Sequence, residues 1–374
     1  MICQREKFNL SDDVTFINGA YMSPLLTSTE EAGIRGLIKK RTPSDLTIND
    51  FFDEVDKVRT LFTDLIGAKE PNRSVIIPSA SYGLAMVANN LPDNGRKKLV
   101  LLGGQFPSNY YIWERIAQEK GLEIVIVQPA SDGATWSEHI MDAIDHDILA
   151  VAMAPIQWGD GSLFDIQSIG DRCRELGALF ILDGTQFVGA HPYDQEKIKA
   201  DALVVASYKW MLGPYGIGMA YLGAAFDKGR PLEESWLNKV KSDDFQYLTN
   251  YQNQYRDGAR RYEMGEAPDF IKIPMLQDAI SQLIEWTPAV IQSYCSSLVA
   301  PMLTTINDAG YKVPSNQNMA AHLFGIGLPE GVHMSAVKEA MTAAKISISY
   351  RGEVLRVSPN VYNSQADIDL LTNV

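Results

Sequence analysis

The chain has 374 residues, more than one ordinary domain needs, so a large domain plus a smaller one is expected. Apolar residues make up 46% of it, and 46 acidic against 33 basic side chains give a formal charge of −13, which argues against nucleic acid or an anionic membrane as partner. Its three cysteines lie far apart and show no metal-ligand spacing, and no apolar signal core is present at the start. We therefore expect a cytoplasmic protein without a metal site.

Short apolar runs alternate with amphipathic stretches from about residue 75 to 222. These runs are rich in Val, Ile and Leu on both faces, which predicts a mostly parallel sheet covered by helices on both sides. The last run follows its predecessor after a short Gly-Pro-Tyr-Gly link and could run antiparallel. The predicted strands are 74–77, 98–102, 123–127, 148–152, 179–183, 202–207 and 217–222.

The pattern changes beyond residue 224. An aromatic stretch (236–262) precedes a long helical signal at 274–298, and a smaller α+β unit follows. Its predicted elements are a strand at 322–326, a helix at 334–344, strands at 346–348 and 354–357, and a closing helix at 364–371. We predict an α/β fold with a large domain at 15–285, a small domain at 286–374, and an N-terminal segment (1–14) that joins it.

The strongest chemical signal is an acid and an amine at the ends of two predicted strands. Asp183 ends one strand, and Lys209 follows another. The carboxyl ends of parallel strands share one crevice, so these side chains should meet there. A lysine amine can form an imine with a cofactor aldehyde, and a carboxylate can keep a pyridine nitrogen protonated. An ordinary surface ion pair is the commoner fate of an isolated Asp and Lys. The apolar run before Lys209, and Trp210 after it, favour a site.

Two segments carry a family resemblance: ILDGTQFVGA at 181–190 and ASYKWMLGPYG at 206–216. In this order and separation they resemble the class V aminotransferase family of fold-type I pyridoxal-phosphate enzymes, which includes cysteine desulfurases, kynureninases and isopenicillin-N-epimerase-like proteins. The resemblance implies a seven-stranded sheet and pyridoxal 5'-phosphate held as a Schiff base on Lys209. It further implies that Asp183 pairs with the ring nitrogen, Gln186 contacts the ring hydroxyl, and Ser207 and Tyr208 reach the phosphate.

Two earlier segments fit the same family. In 75–91 a strand, a turn of small residues and a helix follow one another. Ser79 can cap this helix, and by resemblance Ala80 and Ser81 bind the phosphate, although a plain helix cap is an alternative. In 101–113, Phe106 stands where the family stacks a side chain on the cofactor ring. Core packing of Phe106 is the alternative on periodicity alone.

Two later segments supply further candidates. In 152–173, Gln157 or Trp158 could touch the cofactor or substrate, or be structural. The closing segment 346–371 resembles the family's C-terminal motif, which implies that Arg356 clamps the substrate α-carboxylate. A surface arginine on a strand is the alternative. Arg351 is a second possible anion contact.

The chain departs from the family in three places. No cysteine follows Cys295, where desulfurases carry their sulfur-accepting cysteine. Tyr208, as in kynureninases, precedes the lysine in place of the desulfurase histidine. Glu266, beside Gly265, stands where the family has a threonine that contacts phosphate from the neighbouring subunit.

These features predict a pyridoxal-phosphate enzyme that acts at the α-carbon of a small amino acid, with an amino acid or keto acid as partner. An aminotransferase is favoured because nothing signals a specialised second step. A carbon–sulfur or carbon–carbon lyase, an epimerase, and a cofactor-binding protein without turnover are the alternatives. The resemblance implies a homodimer.

Overall fold

The computed structural model describes residues 1–129, 133–313 and 319–374. Its strands are β1 (Thr15–Phe16), β2 (Ser74–Ile77), β3 (Lys98–Leu102), β4 (Glu123–Val127), β5 (Ile148–Met153), β6 (Leu179–Asp183), β7 (Ala202–Ala206), β8 (Gly218–Leu222), β9 (Phe324–Gly327), β10 (Ile346–Ser347), β11 (Ser349–Arg351) and β12 (Val354–Val357). Its helices are α1 (Thr27–Lys39), α2 (Ile48–Leu65), α3 (Ala80–Asn89), α4 (Tyr111–Lys120), α5 (Trp136–Asp142), α6 (Ile166–Leu176), α7 (Gln195–Ile198), α8 (Lys272–Trp286), α9 (Pro288–Asp308), α10 (Met334–Ala343) and α11 (Gln365–Asn373).

A seven-stranded sheet lies at the centre of the larger unit in the described part of the chain, in the order β2-β8-β7-β6-β5-β3-β4. Strands β3 to β7 pair in parallel, and β8 runs antiparallel between β2 and β7. The predicted mostly parallel sheet with a reversed last strand is therefore confirmed.

Alternate residues of the strands belong to two hydrophobic clusters, one on each face of the sheet. On β3, Leu99 and Leu101 belong to one cluster, while Val100 and Leu102 belong to the other. Successive side chains of a strand point to opposite faces, so runs that are apolar on both faces require cover on both. The helices supply that cover.

The long helical signal at 274–298 is two helices, so the expectation of one continuous helix is wrong. Thr287 has a φ of 62° between α8 and α9, and Pro288 takes the first position of α9. Proline has no backbone N–H to donate and its fixed φ suits the first turn, so it starts a new helix there.

Helix α9 is apolar and long enough to cross a membrane by length and composition alone. Its buried residues join core clusters of this chain: Ile291 and Cys295 contact the large unit's cluster, and Leu298, Val299 and Met302 the small unit's. This packing favours a core helix that bridges the two units.

The smaller unit holds an antiparallel sheet in the order β11-β12-β9. One strand was expected at 346–348, but the structure has β10, which pairs in parallel with β1, and a separate β11, which pairs with β12. The sequence did not indicate β1, a two-residue strand too short to show a pattern. Through β1 and the bond from Gln4 N–H to Val361 O, the N-terminal segment is joined to the small unit.

Candidate active site

A cavity of about 230 Å³ opens at the carboxyl ends of β3, β6 and β7, whose last residues, Leu102, Asp183 and Ala206, all line it. Eight residues predicted for the site lie on its wall. They are Ala80, Ser81, Phe106, Gln157, Asp183, Gln186, Tyr208 and Lys209. The topology therefore collects side chains from segments more than a hundred residues apart.

Lys209 lies in a turn between two neighbouring strands that are both fixed in the sheet. The turn is held internally, because Leu212 N–H donates to Lys209 O and Gly213 N–H donates to Ser207 O. The Ser207 hydroxyl is 2.7 Å from Pro214 O and 2.8 Å from Ile217 O. These bonds fix the main chain from which the Lys209 side chain extends into the cavity.

The Lys209 amine is a buried cation in aromatic surroundings. Its Nζ lies 5.5 Å from the Phe106 ring centroid and 5.6 Å from that of Tyr208. Burial lowers the pKa of Lys209 to about 8, Asp183 opposes this shift, and the guanidinium groups of Arg356 and Arg351 add to it. The lowered pKa therefore raises the fraction of neutral, nucleophilic amine near neutral pH above that of an ordinary lysine.

Asp183 is the acid that lines the same cavity. Its Oδ1 accepts the Thr185 N–H at 3.1 Å, and Thr185 Oγ1 accepts the N–H of Ala206. Burial raises the pKa of Asp183, while the Thr185 hydrogen bonds and the Lys209 charge oppose that rise. A buried carboxylate is stabilised by a cation, so this site suits a protonated ring nitrogen.

Gln186 lines the cavity through a side chain that is already tied in place. Its Nε2 donates to Ala20 O at 3.0 Å, and its Oε1 accepts the indole N–H of Trp210 at 2.8 Å. The main-chain carbonyl oxygen of Gln186 lies 2.9 Å from Nε2 of His322. The Nδ1 of His322 lies 2.7 Å from Gln292 Nε2. His322 is therefore neutral with the proton on Nε2, and burial lowers its pKa to about 3.

Helix α3 directs its N-terminus at the cavity. Ser79 caps it by accepting the Tyr82 N–H at 3.1 Å, and Ala80 and Ser81 are its first two residues. The first N–H groups of a helix lack intrahelical acceptors and carry the positive end of the helix dipole, so this wall suits a phosphate. The plain cap and the anion site are thus compatible here.

Phe106 and Trp158 form an aromatic rim. Phe106 is 41% exposed, so it is not a core residue. It meets the edge of Trp158 with centroids 5.5 Å apart, and the Trp158 indole donates to Gly104 O at 2.9 Å. Gln157 donates to Gly103 O at 3.1 Å and lines the cavity beside them.

Arg356 does not lie on the cavity wall. Its side chain is 1% exposed, Nη1 donates to Trp158 O at 2.9 Å, and Nη2 donates to Ser349 Oγ at 3.3 Å. Its Nε is buried and has no hydrogen-bond partner in the described residues. Arg356 thus lies behind Trp158 with a free donor, rather than being the surface arginine of the alternative interpretation.

Ser207, which was expected to reach the phosphate, is not brought to the cavity. Its side chain is fully buried, its hydroxyl is used on two carbonyl oxygens of its own turn, and it does not line the cavity. The sequence could not show this, because the direction of the hydroxyl depends on the turn after Lys209.

Gly265 lies beside Glu266, where the chain departs from the family. Its backbone N–H donates to Glu233 Oε2 at 2.7 Å.

Several cavity residues were not singled out from the sequence. Thr185 holds Asp183, and Tyr215 packs against Tyr208 with centroids 4.7 Å apart. Gln105 accepts the Asn109 side-chain N–H at 2.8 Å and fixes the loop that carries Phe106. All lie within the segments that carried the resemblance, so their position beside the named residues was the available signal.

The sequence model of the family described as Aminotransferase class-V matches residues 44–371. The chain belongs to the class V aminotransferase family. It is 24% identical over 323 residues to an uncharacterized aminotransferase, YcbU, of Bacillus subtilis, covering 84% of this chain and 81% of that protein. It is 20% identical to isopenicillin N epimerase of Streptomyces clavuligerus, covering 99% and 96%.

The fold agrees with this family assignment. The apo structure of a cysteine desulfurase from Thermococcus onnurineus superposes with a TM-score of 0.83 at 19% identity, covering all of this chain and 97% of that one. This class V chain is thus a fold-type I protein, and pyridoxal phosphate is the cofactor of its family.

The cavity residues fit that cofactor. An amine without a hydrogen-bond partner, a buried carboxylate and an open helix N-terminus face one space in the described structure. They match the cofactor's aldehyde, ring nitrogen and phosphate respectively.

Proposed function

We propose that this class V protein is a pyridoxal-phosphate-dependent aminotransferase acting at the α-carbon of a small amino acid. The observation that carries the proposal is the meeting of Lys209 and Asp183 in one cavity, whose wall also includes the N-terminus of α3. The likeness to YcbU over most of both chains supports amino transfer as the reaction.

Cofactor binding would use these residues in separate roles. Lys209 would hold the aldehyde carbon, Asp183 would face the ring nitrogen, and Ala80 and Ser81 would bind the phosphate. Phe106 and Gln186 would contact the ring. When bound, pyridoxal phosphate supplies a ring that stabilises negative charge at the substrate α-carbon.

The protein's own residues would move and hold the protons. Lys209 Nζ would act as the base that takes the proton from the substrate α-carbon, a role that requires the neutral amine that burial favours. Asp183 would keep the ring nitrogen protonated, because its carboxylate is buried and oriented by Thr185. Arg356, whose Nε has no partner in the described residues, would bind the substrate α-carboxylate, which requires its guanidinium to leave the Trp158 carbonyl behind which it lies.

The cysteines bear on the rival desulfurase reaction. The chain has three, of which Cys173 and Cys295 are buried; Cys3 is partly buried, and none lines the cavity. Sulfur transfer in desulfurases needs a cysteine that can reach the substrate, so amino transfer is the better match. A lyase or epimerase reaction remains the alternative to be separated by assay.

The test follows the visible absorption and products of the purified holoenzyme with a panel of amino donors and keto acids. Transfer of the amino group to the keto acid supports the proposal. Release of ammonia, pyruvate or sulfide indicates a lyase, inverted configuration indicates an epimerase, and a coloured but inert protein indicates binding without turnover.

Lys209→Ala is the matched variant for this proposal. Borohydride reduction should label position 209 of the wild type and leave Lys209→Ala unlabelled and inactive, with unchanged circular dichroism. Lys197→Ala, at an exposed lysine, should keep both label and activity. Labelling at another lysine would contradict the assignment.

We also propose a cytoplasmic homodimer. The support is the family's dimeric architecture and three cysteines that are all unpaired. Sedimentation equilibrium should give twice the chain mass of 41.4 kDa; a monomer that is fully active would contradict the dimer.

A further inference from the structure

Two arginines lie on one face of the small unit's sheet. Ser349 pairs with Arg356 across β11 and β12, and Arg351 is two residues from Ser349 along its strand. Directly opposite residues and residues two apart share a face, so both guanidinium groups extend from the same side. The bond from Arg356 Nη2 to Ser349 Oγ agrees with this geometry.

This face packs on the loop that forms the cavity rim. Gly325, which pairs with Arg356, lies so close to the loop that a Cβ there would be 3.1 Å from the Cα of Asp160. Trp158 connects the two sides. Its carbonyl accepts from Arg356, and the Arg351 guanidinium lies 5.2 Å from its ring centroid.

Neither arginine has a protein counter-ion in the residues that the structure describes. No carboxylate lies within 4 Å of either, and the Nε atoms of both are buried without a hydrogen-bond partner. Arg351 donates through Nη1 to Tyr350 O, a neutral acceptor. An unpaired buried charge is costly, so the buried Arg356 behind Trp158 calls for an anion from a ligand, and the partly exposed Arg351 beside the Trp158 ring is available for a second anion.

The α-carboxylate of an amino acid would pair with one of these guanidinium groups and leave the other without an anion. We propose that the substrate carries a second acidic group, which extends along Trp158 and binds Arg351 while Arg356 takes the α-carboxylate. This inference rests on the proposed function, because it assumes an amino-acid substrate.

The test measures dissociation constants on the holoenzyme by absorption titration and calorimetry. Aspartate, glutamate and O-phosphoserine are each compared with the neutral asparagine, glutamine and serine, which separates a carboxylate from a phosphate as the second group. At least one acidic member should bind about tenfold or more tightly than its neutral partner, since a charge-assisted bond is gained.

Three variants locate the effect. Arg351→Gln should remove the acidic preference by weakening acidic members far more than neutral ones, and Arg351→Lys should retain part of the preference. Lys338→Gln is the matched control, because Lys338 lies 5.1 Å from the ring centroid of Tyr350, on the opposite face of β11. It removes one positive charge beside the same strand and should change nothing.

Equal affinities for acidic and neutral members would overturn the inference while leaving the proposed function intact. An equal loss for both classes in Arg351→Gln would also overturn it, because Arg351 would then act on the α-carboxylate. If no amino acid binds at all, the proposed function fails and this inference fails with it.

Discussion

The chemistry of Lys209 depends on the residues around its amine. The sequence predicted Lys209 and Asp183 correctly as residues of one crevice, because the ends of parallel strands converge whatever the loops do. The resemblance also supplied Phe106, Tyr208, Arg356 and Arg351 as candidates, but their distances from the Lys209 amine depend on tertiary packing that no local pattern gives. Those neighbours set the pKa.

The rate of covalent cofactor attachment to the apoprotein should therefore rise with pH and level off above about 8, the lowered pKa of Lys209. A depressed lysine pKa means that the neutral, attacking form is present at lower pH. Stopped-flow absorption measures this rate. Arg351→Gln should move the midpoint upward, since Arg351 contributes to the lowering. A midpoint at the ordinary lysine value of 10.5 would contradict the account.

Two serines separate a structural role from a cofactor contact. Ser207→Ala should cost about 1–3 kcal/mol of unfolding free energy, because two buried carbonyl groups lose the one hydroxyl donor that they share, and should leave cofactor affinity unchanged. Ser81→Ala should weaken cofactor binding and leave the unfolding free energy unchanged, since Ser81 is exposed on the cavity wall. Urea unfolding and a cofactor titration of both variants give the comparison. A weakened cofactor in Ser207→Ala would restore the original expectation.

At the scale of elements, the position of α3 depends on close packing against the sheet. A Cβ on Gly83 would lie 2.7 Å from Val204 Cγ1 and 2.8 Å from Ile77 Cδ1. The helix therefore lies nearer to β2 and β7 than a larger residue allows. The sequence predicted the strand, turn and helix here, because the small turn residues and the serine cap are local signals. The break at Thr287 was missed. The apolar pattern continues through it, and the one local signal, a proline that can begin a new helix, was not used.

Gly83→Ala should push α3 away from the sheet and move its N-terminus from the cavity. We expect a loss of about 1–3 kcal/mol in unfolding free energy from overpacking, together with weaker binding of the cofactor. Ala85→Ser is the control on a partly exposed position of the same helix. Inorganic phosphate competition and urea unfolding measure the two effects; an unchanged phosphate affinity would show that α3 has not moved.

At the scale of the whole molecule, His322 joins the two units. Its ring links Gln186 beside the cavity to Gln292 on α9, and lies edge-on to Trp210 at 4.6 Å. Such a contact spans 136 residues of sequence. No periodicity or motif reports it, which is also why the position of Arg356 behind Trp158 was beyond prediction.

Because of this histidine, the stability of the protein should decrease as the pH is lowered. Its folded pKa of about 3 lies below the ordinary value of 6.5, so the unfolded chain binds the extra proton and stability is lost below pH 6.5. His322→Phe keeps the ring but removes its titration. The stability advantage of the wild type should therefore shrink by about 2 kcal/mol between pH 7.5 and 5 in urea unfolding. A constant difference across this range would contradict a buried neutral His322.

The turn that carries Lys209 restricts how the amine can travel during a reaction cycle. Both flanking strands are locked into the sheet, and the Ser207 hydroxyl bridges the carbonyl oxygens that close the turn. Displacing the α-carbon of Lys209 would break several of these bonds at once. All of the reach between anchoring a cofactor and visiting a substrate must then come from torsions of the side chain's four methylene groups. A side chain with one methylene group fewer, such as ornithine introduced by chemical means, would not reach both the cofactor and the substrate.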